Sequence, residues 1–499
     1  MRRWMCALVV FAGQLVLFGA LSFALLSWEI QERQEHFAAD LAALSPQNVP
    51  RAAGTSPQPL QPPEILLWYR RHVLTMSISV TLRQRAPTER CKKLIHQTTC
   101  LQTGCSILNN SVADAQSDAS FSQPLLTRHG GKDAALMPPL RILFMLVVHG
   151  RDYRQLQHVL RAIYHPNHYY LIHVEARANH LYHQLKADLA RSRLVNVFLT
   201  QFRLPTIWGA SNLYEVYLRG MAQLAHLSWD YFINLSGADL PLWPIDDIVQ
   251  FLSPASALGI SFLKSHGKNH DRFIAKQGLD RTFVLCDNHM YRLEKRKLPS
   301  DLAMEGGSDW FMLHREFSDF VLADPPVVQA ARRFYDFSLL SAESFFHVVA
   351  ASADGFCHRT LSNNYRVANW HRERGCQCQV QLRLCDTVNL ATYKAIVDWC
   401  GCSPMVYRRE DLAMLQRRRH RPVMFGRKFD STISHTIVEE VVTRLLLLPP
   451  QTDRASGCGN LVFNPGRHFL NVWDTNDGAQ NRNTQTAMQA LAASIEVSC

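Results

Sequence analysis

From Met5 to Ser27 the chain is almost continuously apolar, with Gln14 the strongly polar interruption. A helix needs roughly 20 apolar residues to cross the hydrocarbon layer, so this stretch reads as a membrane span. Arg2 and Arg3 precede it, while Glu29, Glu32 and Glu35 follow. The positive-inside bias then leaves residues 1–4 as a cytosolic tail, 5–27 as a signal anchor, and everything beyond in the lumen. A cleaved signal peptide has a shorter apolar run and a small-residue cleavage site, whereas bulky Leu25, Leu26 and Trp28 stand here. Both readings send the chain into the secretory pathway.

Residues 28–139 are Pro-, Ser- and Gln-rich with weak periodicity, and read as a partly disordered lumenal stem with a local knot of cysteines at Cys91, Cys100 and Cys105. The pattern changes at Arg141. Ile142 to Val148 is an unbroken apolar run, as expected of a strand buried on both faces. Asp152 is placed to cap a helix whose apolar positions Leu156, Val159, Leu160 and Ile163 keep a helical period. Strands are then predicted at Tyr169–Val174, Val195–Leu199 and Tyr231–Leu235, with helices at Asn179–Arg191 and Leu213–Leu224 between them. Such regular alternation indicates an α/β fold with a mostly parallel sheet and helices on both faces. Ligands of these sheets sit outside the C-terminal strand ends, which selects His149-Gly150, Glu175, Thr206-Ile207-Trp208 and Asp239.

The 499 residues include 47% hydrophobic and 19% charged positions, a globular composition, and carry a formal charge of +11. A lumenal protein meets no nucleic acid, so the partners that excess fits are nucleotide-sugar phosphates or acidic peptides. The chain lacks G-x-G-x-x-G, G-x-x-x-x-G-K-[ST] and G-x-S-x-G, which argues against a dinucleotide fold, a P-loop and a hydrolase elbow. Asp239 has no second nearby Asp to make a metal-binding D-x-D. A diphosphate would therefore need side-chain cations, and Arg427-Lys428, flanked by Phe425 and Phe429, offers a fork and a point charge. Two surface cations are the plain alternative. Glu343, beside Phe345 and Phe346, is a candidate general base, with the first turn of a helix capped by Ser341 or Ser344 as its alternative.

Of the 13 Cys, most cluster in the stem and the C-terminal half, as disulfides of an oxidising lumen do. Cys376, Cys378, Cys400 and Cys402 form a C-x-C…C-x-C set, for which two disulfides compete with zinc; the short spacing disfavours the ion. Asn109-Asn110-Ser111 is a glycosylation sequon, and Asn234-Leu235-Ser236 is another that falls at a strand end.

Several segments resemble one family: Leu146-Val147-Val148-His149-Gly150-Arg151, Thr206-Ile207-Trp208-Gly209, Lys276-Gln277-Gly278-Leu279-Asp280-Arg281, Gly306-Gly307-Ser308-Asp309-Trp310-Phe311, Ala342-Glu343-Ser344-Phe345-Phe346 and Asp398-Trp399-Cys400-Gly401-Cys402-Ser403-Pro404. Over about 141–429 the chain resembles the protein O-xylosyltransferases, relatives of the core-2/I branching β-1,6-N-acetylglucosaminyltransferases. The resemblance implies a GT-A-like nucleotide-sugar-binding domain over 140–430, behind a transmembrane anchor and a Cys-containing stem. It implies inverting transfer of xylose from UDP-xylose to serine of acidic Ser-Gly proteoglycan core proteins, which starts glycosaminoglycan chains in the Golgi without a divalent metal. Val147, Glu175, Thr206, Ile207, Trp208, Asp309, Trp310 and Ser403 would line the donor site, Arg427 and Lys428 would hold the diphosphate, and Glu343 would be the base. Cys376 would pair with Cys402, Cys378 with Cys400, and Cys357 with a stem cysteine, Cys105 being nearest. Lys264, Lys268, Arg272, Lys276 and Arg281 would favour acidic acceptors.

The chain also departs from that family. Glu175 stands for the family's Asp, Ser341 for a proline, Gly237 and Leu240 alter the Asp239 loop, and Cys385 is an added thiol. A large β-rich domain follows the Arg-Lys segment in the family, where this chain has a dissimilar stretch, 431–499. The alternatives are a branching N-acetylglucosaminyltransferase and an inactive lumenal protein that binds UDP or peptide.

Overall fold

The computed structural model describes residues 86, 88–103, 140–192, 194–266, 270–370, 399, 401–418 and 423–446. The anchor, the sequon at Asn109 and most of the 431–499 stretch lie outside the described residues, as do Cys105, Cys376, Cys378, Cys385 and Cys400. Among the described residues no helix is long and apolar enough to cross a membrane.

The sheet is built outward from β1 (Ile142–Val148), which pairs in parallel with β2 (Tyr169–Val174) on one side and β4 (Tyr231–Ser236) on the other. All seven β1 residues are buried, the reason its sequence is an unbroken apolar run. Successive strand residues point to opposite faces. Ile142, Phe144, Leu146 and Val148 therefore enter one core, while Leu143, Met145 and Val147 enter the other. Helices α2 (Tyr153–Ile163), α3 (Asn179–Arg191) and α5 (Ile245–Ala257) fill the first core through Leu156, Leu181 and Ile248. Helices α4 (Asn212–Gln223), α7 (Arg315–Leu322), α8 (Pro326–Tyr335) and α9 (Phe345–Ser352) fill the second through Tyr214, Phe317, Val328 and Phe345.

With β3 (Val197–Leu199), β6 (Ser261–Ser265), β9 (Gly307–His314) and β10 (Thr360–Leu361), the main sheet has seven strands in the order β10-β6-β9-β4-β1-β2-β3. The sheet is mostly parallel, as expected, but mixed: β9 runs antiparallel to both β4 and β6. A second sheet of three short strands, β11 (Arg366–Ala368), β12 (Phe425–Arg427) and β5 (Asp239–Pro241), brings three distant chain segments together, with Arg427 opposite Asp239. The remaining strands, β7 (Arg281–Cys286) and β8 (His289–Lys295), form a hairpin after α6 (His270–Gln277). Helix α10 (Leu412–Arg418) precedes β12, and α11 (His435–Glu439) follows it.

Three sequence expectations need correction. Asp152 occupies the N-cap of α2 without capping it, because its carboxylate accepts the His149 N–H at 2.7 Å and closes the β1 turn instead. Cys91 is not part of a local stem knot: α1 (Glu89–Thr103) packs Cys91 and Ile95 on Val284, Tyr291 and Leu293 of the hairpin, and Cys91 is bonded to Cys286, 195 residues away. Cys357 carries a free thiol, so it is not joined to a stem cysteine; the covalent tie of α1 runs to the hairpin. Cys100 and Cys402 are also disulfide-bonded. Asn234, the asparagine of the second sequon, is fully buried, donating to Asp309 O at 2.6 Å and accepting from Phe311 N at 2.9 Å. It is closed to modification.

Closing a loop of this length removes much of the unfolded chain's freedom. Cys286→Ser is expected to cost about 2–5 kcal/mol of stability, read by denaturant unfolding under oxidising conditions. An unchanged unfolding midpoint would mean that this disulfide adds nothing to the hold on α1.

Candidate active site

A cavity of about 820 Å³ opens where β9, the small sheet, the turn before α9 and the segment 399–404 converge. Its shape depends on close backbone approach. A Cβ on Gly307 would lie 1.6 Å from the Lys264 carbonyl of β6, so only glycine lets β9 turn into the cavity. A Cβ on Gly401 would lie 2.2 Å from the Trp208 ring. Trp208 and Trp399 meet edge-on with centroids 4.9 Å apart, and with Gly401, Cys402 and Ser403 they form one wall.

Glu343 ends a 3-10 turn (Ser341–Glu343) entered through Leu340, whose φ of 53° is left-handed. A leucine there costs of order 1–3 kcal/mol, and such outliers concentrate where a side chain must be aimed. The carboxylate points into the cavity, where its Oε2 accepts Gln277 Nε2 at 2.7 Å and lies 3.9 Å from His266 Nε2. The helix-cap alternative does not describe it: Ser344 holds the N-cap of α9 with no side-chain cap bond, its hydroxyl donating instead to the Glu305 carbonyl.

Also in the cavity lining, Arg427 lays its guanidinium 4.1 Å from the Trp310 ring centre, and Arg366 lies 5.0 Å from the same ring. Arg366 Nη1 is 3.4 Å from Asp239 Oδ1, and its Nη2 donates to Asn234 O at 2.6 Å. Desolvation brings the Arg366 guanidinium down to about 10, with Asp239 opposing the shift. The Nε groups of both arginines are buried without a hydrogen-bond partner, as is Gln277 Oε1. The two unmet arginine donors fit an anionic ligand group, whereas the Gln277 oxygen is an unmet acceptor.

Asp309 responds to both Glu343 and Arg427. Partly open to the cavity yet enclosed by protein, its carboxyl is pushed up to about 7, first by desolvation and then by the Glu343 charge; Arg427 pulls the other way. A folded-state pKa above the ordinary 3.8 means stability lost as pH rises through 7. The Tm of Asp309→Asn is therefore expected to gain on that of the wild type between pH 4 and pH 7–8, and to match it at the acid end. A Tm difference that does not change with pH would contradict this placement.

Among the residues singled out in the sequence, Glu343, Trp208, Asp309, Trp310, Ser403, Arg427, Lys264 and Arg281 line this cavity. Others do not line it. Val147 faces the second core. Glu175 is buried and paired with Arg177 Nε at 2.7 Å, a partner two residues away that holds the carboxylate at the β2 end. Thr206 is buried with its Oγ1 unpartnered, and Ile207 packs in a small cluster with Phe283, Met290 and Leu339. Lys428 is not among the lining residues, and its charge is felt by Asp152 beside the β1 turn. Lys268 lies outside the described residues, as do the side chains of Arg272 and Lys276. Sequence reasoning assigned no role to Arg366, Gln277 or His266. Arg366 sits in a three-residue strand without periodicity, and Gln277 and His266 carry no chemical signature of their own in the sequence.

A family model described as Core-2/I-branching enzyme matches residues 142–396. Xylosyltransferase 2 of Mus musculus is 39% identical over 401 residues, 79% of this chain and 43% of that protein. Xylosyltransferase 2 of Homo sapiens is 41% identical over 361 residues, 71% of this chain and 40% of that protein. Xylosyltransferase 1 of Rattus norvegicus is 42% identical over 351 residues, 69% of this chain and 39% of that protein. The chain thus spans about two fifths of the length of the curated relatives it matches.

Proposed function

The chain belongs to the Core-2/I-branching enzyme family, and from that premise we propose that it is a glycosyltransferase moving xylose from UDP-xylose to a serine hydroxyl of an acceptor protein. One observation carries the reading: a carboxylate, Glu343, and a guanidinium, Arg427, face a single cavity and meet electrostatically at Asp309. The volume of about 820 Å³ suits a nucleotide sugar. The mostly parallel sheet is compatible with a GT-A-like nucleotide-sugar domain.

In the proposed reaction Glu343 takes the proton of the acceptor serine as its oxygen attacks C1 of the sugar. The C1–O bond to the β-phosphate breaks on the opposite face, UDP leaves, and the product is a β-xyloside. Arg427, with Arg366 behind it, receives the negative charge that grows on the leaving diphosphate. Gln277 donates to Glu343 Oε2 at 2.7 Å and so fixes the carboxylate's orientation.

The reaction is proposed to need no divalent ion. Asp239, which such an ion would require, is already committed: its Oδ2 accepts from Ser236 N at 2.7 Å and Ser236 Oγ at 2.5 Å, and Oδ1 faces Arg366. Transfer is expected to persist in excess EDTA, and strict dependence on added manganese would overturn this part. Lys264 and Arg281 in the cavity lining favour acceptors with Asp or Glu near a Ser-Gly site, as in proteoglycan core proteins. The disulfides fit an oxidising lumen, and the apolar 5–27 segment fits a type II anchor in the Golgi membrane.

A donor screen tests the reading. UDP-xylose is expected to be turned over in preference to UDP-N-acetylglucosamine; the reverse preference would assign the chain to branching N-acetylglucosaminyl transfer, the other chemistry of its family.

A further inference from the structure

Away from the cavity, three metal-binding side chains converge where the segment after β12 returns to the sheet. Ser431 N donates to Gln155 Oε1 of α2 at 2.9 Å, docking the chain just before α11. Helix α11 then buries Ile437 and Val438 in the first core. His435 and Glu439, four positions apart, share one helix face and approach His158 on α2. Glu439 Oε1 lies 3.5 Å from His158 Nδ1 and 3.8 Å from His435 Nε2, and one donor atom from each of the three residues falls within 4.8 Å of the other two.

We propose that His158, His435 and Glu439 form a binding site for a divalent transition metal of the zinc class, which fastens α11 to α2. Zinc bound at about 2.0–2.2 Å by imidazole nitrogens and a carboxylate oxygen sets its donors about 3.3 Å apart in tetrahedral geometry. The observed separations need only small side-chain adjustments to reach that. Two imidazoles and one carboxylate favour such an ion over calcium or magnesium, which take oxygen ligands. One coordination position is left for water. Arg154 and Arg161 place positive charge near His158, so binding is weaker than in a cysteine-rich zinc site. None of the three side chains lines the cavity, so the ion acts on the fold and not on the reaction. What it steadies is the segment immediately after Arg427 and Lys428.

The test uses the full chain, freed of metal with chelator and dialysed, then titrated with cobalt chloride. The expected result is a saturable visible absorption band of tetrahedral cobalt, reached at one equivalent and bleached by zinc. The side chains of His435 and Glu439 are 61% and 40% exposed, so His435→Ala and Glu439→Gln are expected to fold, with far-UV circular dichroism as the check. Each variant should bind cobalt at least about tenfold more weakly, since loss of a mere supporting contact to a metal ligand already costs that much. Zinc should raise the Tm of the wild type and leave that of either variant unmoved. An absence of the saturable band in the wild type, or an equal band in the variants, would overturn the proposal; the second result would assign the metal to other histidines.

Discussion

Glu343→Ala is expected to reduce sugar transfer to a serine hydroxyl to background while UDP binding stays close to that of the wild type. The separation follows from position. Glu343 reaches the cavity from the turn before α9, whereas the arginines that would hold the diphosphate come from β11 and β12. A positioned base contributes about 10²–10⁴ in rate, and without it the serine must attack while still protonated. The substitution removes a partner from Gln277 and relieves the charge that pushes the Asp309 carboxyl up. The fold should tolerate it. Calorimetric titration with UDP and a single-turnover transfer assay separate the two effects. Near-normal turnover would take the base role from Glu343, and loss of UDP binding together with activity would make it a structural residue.

Arg427→Ala is expected to lower transfer by about 10²–10³, the usual cost of removing one preorganised donor from a developing oxyanion. Unlike loss of Glu343, it should also weaken UDP binding, because the diphosphate is charged before the reaction as well as during it. Its guanidinium rests on Trp310 and keeps Nε unpaired, so the charge is held in place without being spent on a protein carboxylate. Lys428→Ala should cost less, since Lys428 is not among the lining residues and its charge is felt by Asp152. Equal losses in the two variants, measured as kcat/KM for the donor, would show that both cations reach the diphosphate.

The half of the sheet that follows β1 was readable because burial on both faces leaves a pure apolar signature. The expected limits of β1, β2 and α3 coincide with the observed ones, and β4 differs by one residue. The other half hid itself for physical reasons. In β9 the polar Ser308 and Asp309 face the cavity and break the alternation, so the antiparallel strand that carries the site gives a weak pattern. β5, β11 and β12 are three residues each, too short for any period, yet their pairing sets Arg427 between Asp239 of β5 and Ala368 of β11. Local sequence also cannot reveal a disulfide that spans 195 residues, which is why Cys91 reads as one of a cluster of stem cysteines. The chemistry was legible as residue types, Glu343 and Arg427 above all. That both charges act on Asp309, and that Lys428 is not among the cavity's lining residues, required the fold.

The most direct test is transfer of radiolabelled xylose from UDP-xylose to a synthetic Ser-Gly peptide flanked by acidic residues, catalysed by the purified full chain. The account predicts label in the peptide, released as a β-linked xyloside. UDP-xylose binding with no label incorporated would contradict it and leave a protein that holds the donor but does not use it.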